Sequence, residues 1–383
     1  MIKLIKAIQY PIFIFCLLSN VIAQVPTAQK LDKNMSLEEV EVDGIAWFDP
    51  KEEPFKLSGF EWIKEDNIYR RLPVNPEWEI RDAVDHLANH TAGGQIRFKT
   101  NSKRILVRVE LRERSGMYHM PATGQSGFDL YLLESGVQRY LKTTRFPHDT
   151  LRYQVELFND SQEEMRSFTL NFPLYNGVNS VKIGIEEGTA LEAPQPFKIP
   201  GKIVIYGTSI TQGGCVSRPG MAYSNIISRN MDVQFVNLGF SGNGRGEPAL
   251  AHLINQISGT KFIILDYEAN ANETIVNTLG PFVEILRQEH PLTPILIMSK
   301  IRYAGARSGS SAYQLLMQNR DFQKNLVEER KEKGDMNIYF LDGSTVLGED
   351  YYECTVDGSH PNDLGSYRIA NALIPEIEDI LKK

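Results

Sequence analysis

Apolar residues recur at every second position through much of the first half of the chain. Gln95-Ile96-Arg97-Phe98-Lys99 alternates, Asn101-Ser102-Lys103 marks a turn, and Ile105, Val107, Val109 and Leu111 resume the period. Phe128-Asp129-Leu130-Tyr131-Leu132 alternates again, and Ser167–Phe172 and Val181–Ile185 follow with Asn176-Gly177 between them. Short period-two runs separated by turn residues predict an antiparallel sandwich or jelly roll, here over residues 59–193. The polar, acidic stretch at 24–58 reads as a lead-in arm.

A proline-rich joint, Glu192-Ala-Pro194-Gln-Pro196-Phe-Lys-Ile-Pro200, divides this half from a different pattern, with a linker expected at 194–200. Apolar runs at Lys202–Tyr206, Val233–Leu238, Lys261–Leu265, Pro294–Met298 and Asn337–Leu341 predict buried strands. Helical spacing separates them at Ala222–Arg229, Pro248–Ile257, Thr274–Glu289 and Tyr313–Lys333, and Ser366–Leu381 closes the chain. Strands alternating with helices imply an α/β domain over residues 201–383. Its expected form is a three-layer αβα (flavodoxin-like) domain with about five parallel strands. Ligands of such sheets sit at the carboxyl ends of the strands.

The N-terminus follows its own rules. Lys3 and Lys6 precede an apolar run from Ala7 to Leu18, and Val21 and Ala23 suit a signal-peptidase site. Residues 1–23 therefore read as a cleaved signal peptide, with export to the periplasm or the extracellular space. The run is too short for a permanent bilayer anchor, so no stable membrane insertion is expected. Removing Lys3 and Lys6 takes the formal charge from −7 to −9, and no Lys/Arg block is present, which argues against nucleic acid as a partner. Cys16 leaves with the signal, and Cys215 and Cys354 remain.

The candidate chemistry lies after the strands of the second half. Gly207-Thr208-Ser209-Ile210-Thr211-Gln212-Gly213 puts a serine at a strand end, where it suits a nucleophile or caps a helix. It is not a G-x-S-x-G elbow, because Thr211 stands at the second glycine position. Asp357-Gly-Ser-His360 can present a base and its orienting acid from one loop, although the same residues suit a plain turn. Asn237-Leu-Gly239-Phe-Ser-Gly242 and Asp266-Tyr-Glu-Ala-Asn270 follow the second and third strands. A glycine N–H and an asparagine amide there can donate to an oxyanion.

These four blocks, in this order, resemble the SGNH (GDSL-like) hydrolase superfamily over about Lys198–Lys383. The resemblance implies Ser209 as nucleophile, His360 as general base and Asp357 as orienting acid. It implies an oxyanion hole from the Ser209 and Gly242 N–H groups and the Asn270 amide. Two departures stand out: Thr208 replaces the usual Asp, and Glu268-Ala269-Asn270-Ala271 replaces Gly-x-Asn-Asp, with Asn272 as the fallback donor. Gly127-Phe128-Asp129-Leu130-Tyr131 is similar to the G-x-D-L-Y motif of the N-terminal domain that precedes one SGNH subgroup. The two-part plan is similar to jelly-roll-plus-SGNH carbohydrate esterases.

The implied activity is hydrolysis of O-acetyl or other short acyl esters on carbohydrates, with no cofactor and no metal. A lysophospholipase or thioesterase is the alternative within the superfamily, and a noncatalytic carbohydrate-binding protein is the alternative outside it. His119, Arg245 and Glu247 are candidate substrate contacts. His86 and His90, spaced i, i+4, lack the Glu of a zinc-protease motif. Gly242-Asn-Gly244-Arg-Gly246 lacks the lysine of a phosphate loop. Cys215 and Cys354 flank loops that must meet, so a disulfide between them is expected, with two separate buried thiols the alternative.

Overall fold

The computed structural model describes Asp32, Ser36, Leu37 and residues 40–383, so the expected signal peptide lies outside the described residues. Two antiparallel sheets build the first half. One runs β1 (Ile45–Phe48), β9 (Val178–Glu186), β4 (Arg104–Leu111), β7 (Arg152–Asn159). The other runs β10 (Leu191–Glu192), β3 (Gln95–Thr100), β8 (Arg166–Asn171), β5 (Asp129–Glu134), β6 (Val137–Thr143), with β2 (Lys56–Ser58) also on β3. The alternation in the sequence is resolved by the core between the sheets. Ile96, Phe98, Ile105, Val107, Val109, Leu130, Leu132, Phe168 and Leu170 all point into it.

The structure departs from the sequence reading in two places near the start of this half. β1 and β2 lie in the segment expected as an arm, and both pair within the sandwich. From Trp62 to Ala88 there is no strand. The segment carries α1 (Ile63–Asp66) and α2 (Asp82–Ala88), and Leu72, Val84 and Ala88 are buried in a core of the second half. α3 (Ala122–Ser126) is the remaining helix of this half.

The second half is a parallel sheet in the order β12 (Val233–Gly239), β11 (Ile199–Gly207), β13 (Thr260–Asp266), β14 (Ile295–Met298), β15 (Ile338–Leu341). Its strands are apolar at nearly every position because both faces are covered. Val204, Tyr206, Ile263, Leu265, Ile295 and Ile297 face one core, and Ile203, Ile205, Phe262, Ile264, Leu296 and Met298 face the other. α6 (Pro248–Asn255), α8 (Ile275–Glu289) and α9 (Ser311–Glu332) cover the first face, while α5 (Tyr223–Met231) and α10 (Asp363–Leu381) cover the second. The single turns α4 (Ser209–Gln212) and α7 (Glu268–Ala271) follow β11 and β13. The chain reverses its winding beside β11, and a doubly wound sheet opens its ligand crevice at that switch point.

The two halves are joined by buried polar contacts, and Glu39–Lys383 form one unit. Asp129, the acid of the Gly127–Tyr131 motif, is fully buried in β5. It accepts from Arg218 Nη1 and the Gly220 N–H, both at 2.8 Å, and from Asn171 Nδ2 at 2.9 Å. Arg218 also donates to Tyr131 Oη at 2.5 Å, so the motif clamps the loop that follows the Ser209 turn. Asp129→Ala leaves Arg218, Gly220 and Asn171 donors without their acceptor, a loss of roughly 3–5 kcal/mol for a broken buried pair. Chemical denaturation should show a correspondingly lower midpoint, and an unchanged midpoint would refute the clamp.

Candidate active site

Strand register sets the site. Gly207 at the end of β11 pairs with Gly239 of β12 and with Asp266 of β13, so three loops leave the sheet at one level. The first is the turn α4, whose N-cap Thr208 accepts from the Ile210 N–H at 3.3 Å and whose own N–H meets Thr211 Oγ1. Thr208, in place of the expected Asp, thus serves as a cap. Ser209 is the first residue of the turn, where its N–H has no intrahelical acceptor.

Ser209 Oγ lies 2.9 Å from His360 Nε2, and His360 Nδ1 lies 2.7 Å from Asp357 Oδ2. Asp357 Oδ1 accepts the N–H groups of His360 at 2.8 Å and Ser359 at 3.0 Å. Burial raises the Asp357 pKa, but the His360 and Ser359 N–H groups and the His360 ring outweigh it and hold the carboxyl at about 2. Asp357 is therefore an anion that accepts from His360 Nδ1–H, and the Nε2 lone pair is left facing the serine hydroxyl. The loop itself is closed by an isolated bridge between Thr355 and Pro361.

Gly242 adopts φ +69°, and a Cβ there would meet nothing within 4 Å. Glycine is needed for the conformation rather than for space. Among the described residues no hydrogen-bond acceptor lies on its N–H, while its carbonyl is held by Arg245 at 3.1–3.2 Å. Asn270 Oδ1 accepts the Gly244 N–H at 3.3 Å, which leaves its Nδ2 as a donor. Gly244 sits where a Cβ would come 2.0 Å from the Gly207 carbonyl, so only glycine lets this loop approach the serine strand. Asn272, the fallback donor, holds φ +47°, and its carbonyl accepts from Asn319 Nδ2.

Other candidates divide. His119, from the sandwich half, reaches the site: its Nε2 is 3.9 Å from Asp357 Oδ2 and its ring centroid 5.7 Å from that of His360. With Tyr118, Met120, Cys215, Ser217 and Leu364 it lines a cleft of about 710 Å³. Arg245 is exposed and folded onto Gly242. Glu247 is committed to structure, binding Arg81 through Oε1 and the Tyr206 hydroxyl through Oε2.

The expected Cys215–Cys354 disulfide is not formed; both are buried free thiols. Cys215 packs with Leu174, Tyr175 and Ala222, whereas Cys354 belongs to the core under α10 and lies 3.2 Å from Arg368 Nη1. The loops do meet, but through hydrogen bonds. The Cys215 N–H donates to the Pro361 carbonyl at 2.9 Å, and Ser217 donates to both oxygens of Asp363 at 2.8 and 2.5 Å. Burial first, and then the Asp357 charge, push the Cys215 thiol up to about 12.

Several residues, some of them inside the four sequence blocks, have supporting contacts that the sequence does not reveal. Tyr175, from the sandwich half, donates to the Ser209 carbonyl at 3.1 Å. Gln212 Oε1 accepts the Ser241 N–H at 3.0 Å, while its Nε2 donates to Leu174 O and to His90 Nδ1. Asn237 Nδ2 donates to Thr211 O at 2.7 Å. Asp266 Oδ2 accepts from Tyr223 at 2.6 Å and Thr211 at 3.0 Å beneath the serine turn. Only contacts across the sequence identify them.

The family model for GDSL-like lipases and acylhydrolases matches residues 201–378, and that for the GxDLY N-terminus of SGNH-hydrolase-type esterases matches 45–191. A GDSL-like lipase from Bacteroides ovatus is 30% identical, with a TM-score of 0.81 over 88% of this chain and 98% of its own. The salicylyl acyltransferase of a tetracycline biosynthetic pathway is 18% identical, with a TM-score of 0.72 over 89% of this chain and 98% of its own. A family two carbohydrate esterase from Cellvibrio japonicus is 15% identical, with a TM-score of 0.56 over 88% and 98%. The last two, at such identities, show a common fold. No curated protein sequence matches the chain.

Burial raises the Asp266 pKa to about 7 despite the Tyr223 and Thr211 hydrogen bonds. The folded protein then holds a proton between about pH 4 and 7 that the unfolded chain has lost. Its contribution to stability is full below that window and is lost as pH rises through 7. Asp266→Asn should flatten this part of the stability profile; equal slopes in wild type and variant by denaturant unfolding from pH 4.5 to 8 would contradict the assignment.

Proposed function

The chain belongs to the GDSL-like lipase/acylhydrolase family, and from that premise we propose that it hydrolyses O-acetyl or similarly short acyl esters of carbohydrates. The observation that carries the reading is the continuous hydrogen-bonded relay Ser209–His360–Asp357 at the switch point of the sheet. In this mechanism His360 Nε2 takes the Ser209 proton as Oγ attacks the ester carbonyl. The Ser209 and Gly242 N–H groups and Asn270 Nδ2 hold the oxyanion. The protonated imidazole, steadied by the Asp357 anion, passes its proton to the leaving alcohol. Water, activated by His360 in turn, releases the acyl group from the serine. Every step uses side chains and backbone of this chain.

A sugar substrate is supported by the cleft. Tyr118 stands 94% exposed at its rim, where an aromatic face can pack against the apolar face of a sugar ring. The two-part arrangement is shared with the Cellvibrio japonicus carbohydrate esterase. Export through a signal peptide at residues 1–23 belongs to the same proposal and would bring the enzyme to extracytoplasmic glycans.

Ser209→Ala should lower hydrolysis of 4-nitrophenyl acetate, and release of acetate from acetylated xylan, by about 10⁴-fold or more. Full activity in this variant would remove Ser209 from the mechanism. A preference for octanoate over acetate would move the substrate class to lipids, and inactivity of the wild type on all these esters would favour the carbohydrate-binding alternative. Asn270→Ala should lower kcat by about 10²–10³-fold with little change in KM, as for a donor used in the transition state; an effect confined to KM would place Asn270 in ground-state binding instead.

A further inference from the structure

Among the described residues, two groups of side chains bring together metal-ligating atoms within 4.8 Å of one another: His86, His90 and Glu113, and His119, Cys215 and His360. The first does not suit a metal. Gln212 is oriented by Leu174 O and the Ser241 N–H, so its amide nitrogen donates to His90 Nδ1. The His90 proton is thereby placed on Nε2, toward Glu113 at 3.3 Å. A metal on Nε2 would need the opposite tautomer, with an N–H pointed at an N–H.

The second group has the polarity the first lacks. His360 donates Nδ1–H to Asp357, which leaves the Nε2 lone pair facing Ser209 Oγ at 2.9 Å, the carboxylate–histidine arrangement typical of metal ligands. His119 Nδ1 is buried without a hydrogen-bond partner among the described residues, so the protein has not claimed all of this imidazole. Cys215 lines the same cleft and supplies a soft sulfur. Two imidazoles and a thiol form a donor set suited to zinc, with Ser209 Oγ or water available for the fourth position.

We propose that His119, Cys215 and His360 form an inhibitory site for a thiophilic divalent cation of the Zn²⁺ type. On binding, the Cys215 S–H bond breaks and its proton passes to water while a metal–sulfur bond forms; no redox change occurs. The cation occupies His360 Nε2, so the hydrogen bond from Ser209 is lost and the base is blocked. Asp357, 3.9 Å from His119 Nε2, adds a negative charge beside the cation. Inhibition rests on the esterase reading above, whereas metal binding does not.

Co²⁺ titration of the metal-free full chain tests the binding directly through the near-ultraviolet thiolate-to-cobalt charge-transfer band. The wild type is expected to show the band, and Cys215→Ser to lack it. Zn²⁺ should suppress ester hydrolysis by the wild type, chelator should restore it, and Cys215→Ser should need at least roughly 10–100-fold more Zn²⁺. Absence of the band in the wild type, or its persistence in Cys215→Ser, would overturn the site. So would equal Zn²⁺ sensitivity of the two proteins. A band without hydrolysis would uphold the metal site and reject the esterase reading.

Discussion

Arg71 is fully buried, and its guanidinium is satisfied by main-chain carbonyls on both sides of the junction. It donates to Leu87 O and His90 O on its own side and to Asn237 O and Gly239 O at the end of β12, with the Phe240 ring against its face. Burial lowers its pKa to about 9, so it remains a cation at neutral pH without a carboxylate among these acceptors. A buried charge is tolerated when it is hydrogen-bonded, as Arg71 is through these four bonds. Separating the sandwich from the sheet would strip acceptors from Arg71 and expose the apolar face that Leu72, Val84 and Ala88 share with α6 and α8. The two halves thus pack as one compact unit.

This junction places the sandwich directly behind the serine turn. Tyr175 holds the Ser209 carbonyl, Gln212 holds the Ser241 N–H ahead of Gly242, and the Asp129 clamp holds the loop after the turn. Preorganised donors are worth most when they need not reorganise during reaction. The sandwich contributes Tyr175 and Asp129 to these contacts, and through Tyr118 and His119 it also supplies one wall of the cleft. Both halves therefore take part in bracing the serine turn and in lining the cleft.

The cysteines show how the same end can be met by different chemistry. Two loops that must stay together suggested a covalent link, but the pairing is made by the Cys215 backbone and by Ser217 with Asp363. The sulfur of Cys215 is left over, beside His119 and His360, and it is this leftover that gives the cleft its metal-ligating character.

Much of this was legible in one dimension. Period-two and period-3.6 patterns are local consequences of which face is buried, so β11–β15 and α5, α6, α8, α9 and α10 begin and end within a few residues of the sequence boundaries. Ser209, Gly242, Asn270, Asp357 and His360 stand out as candidates through the SGNH resemblance, and strand-end loops of a parallel sheet bring Ser209, His360 and Asp357 into contact. Other features depended on contacts far apart in sequence. The Trp62–Ala88 segment lies amid β-patterned sequence, yet packs on the α/β sheet because Leu72, Val84 and Ala88 find an apolar face there. Glu247 could be read as a substrate contact until Arg81 and Tyr206 claimed its oxygens. The sequence by itself determined the strands and main helices of the α/β half, their order, and which strand-end loops carry the candidate groups, since these follow from local periodicity and from the topology of parallel strands. The tertiary structure alone decided which side chains brace those groups, which thiols stay unpaired and that both halves wall the cleft, because buried polar groups take whichever partners packing brings within reach.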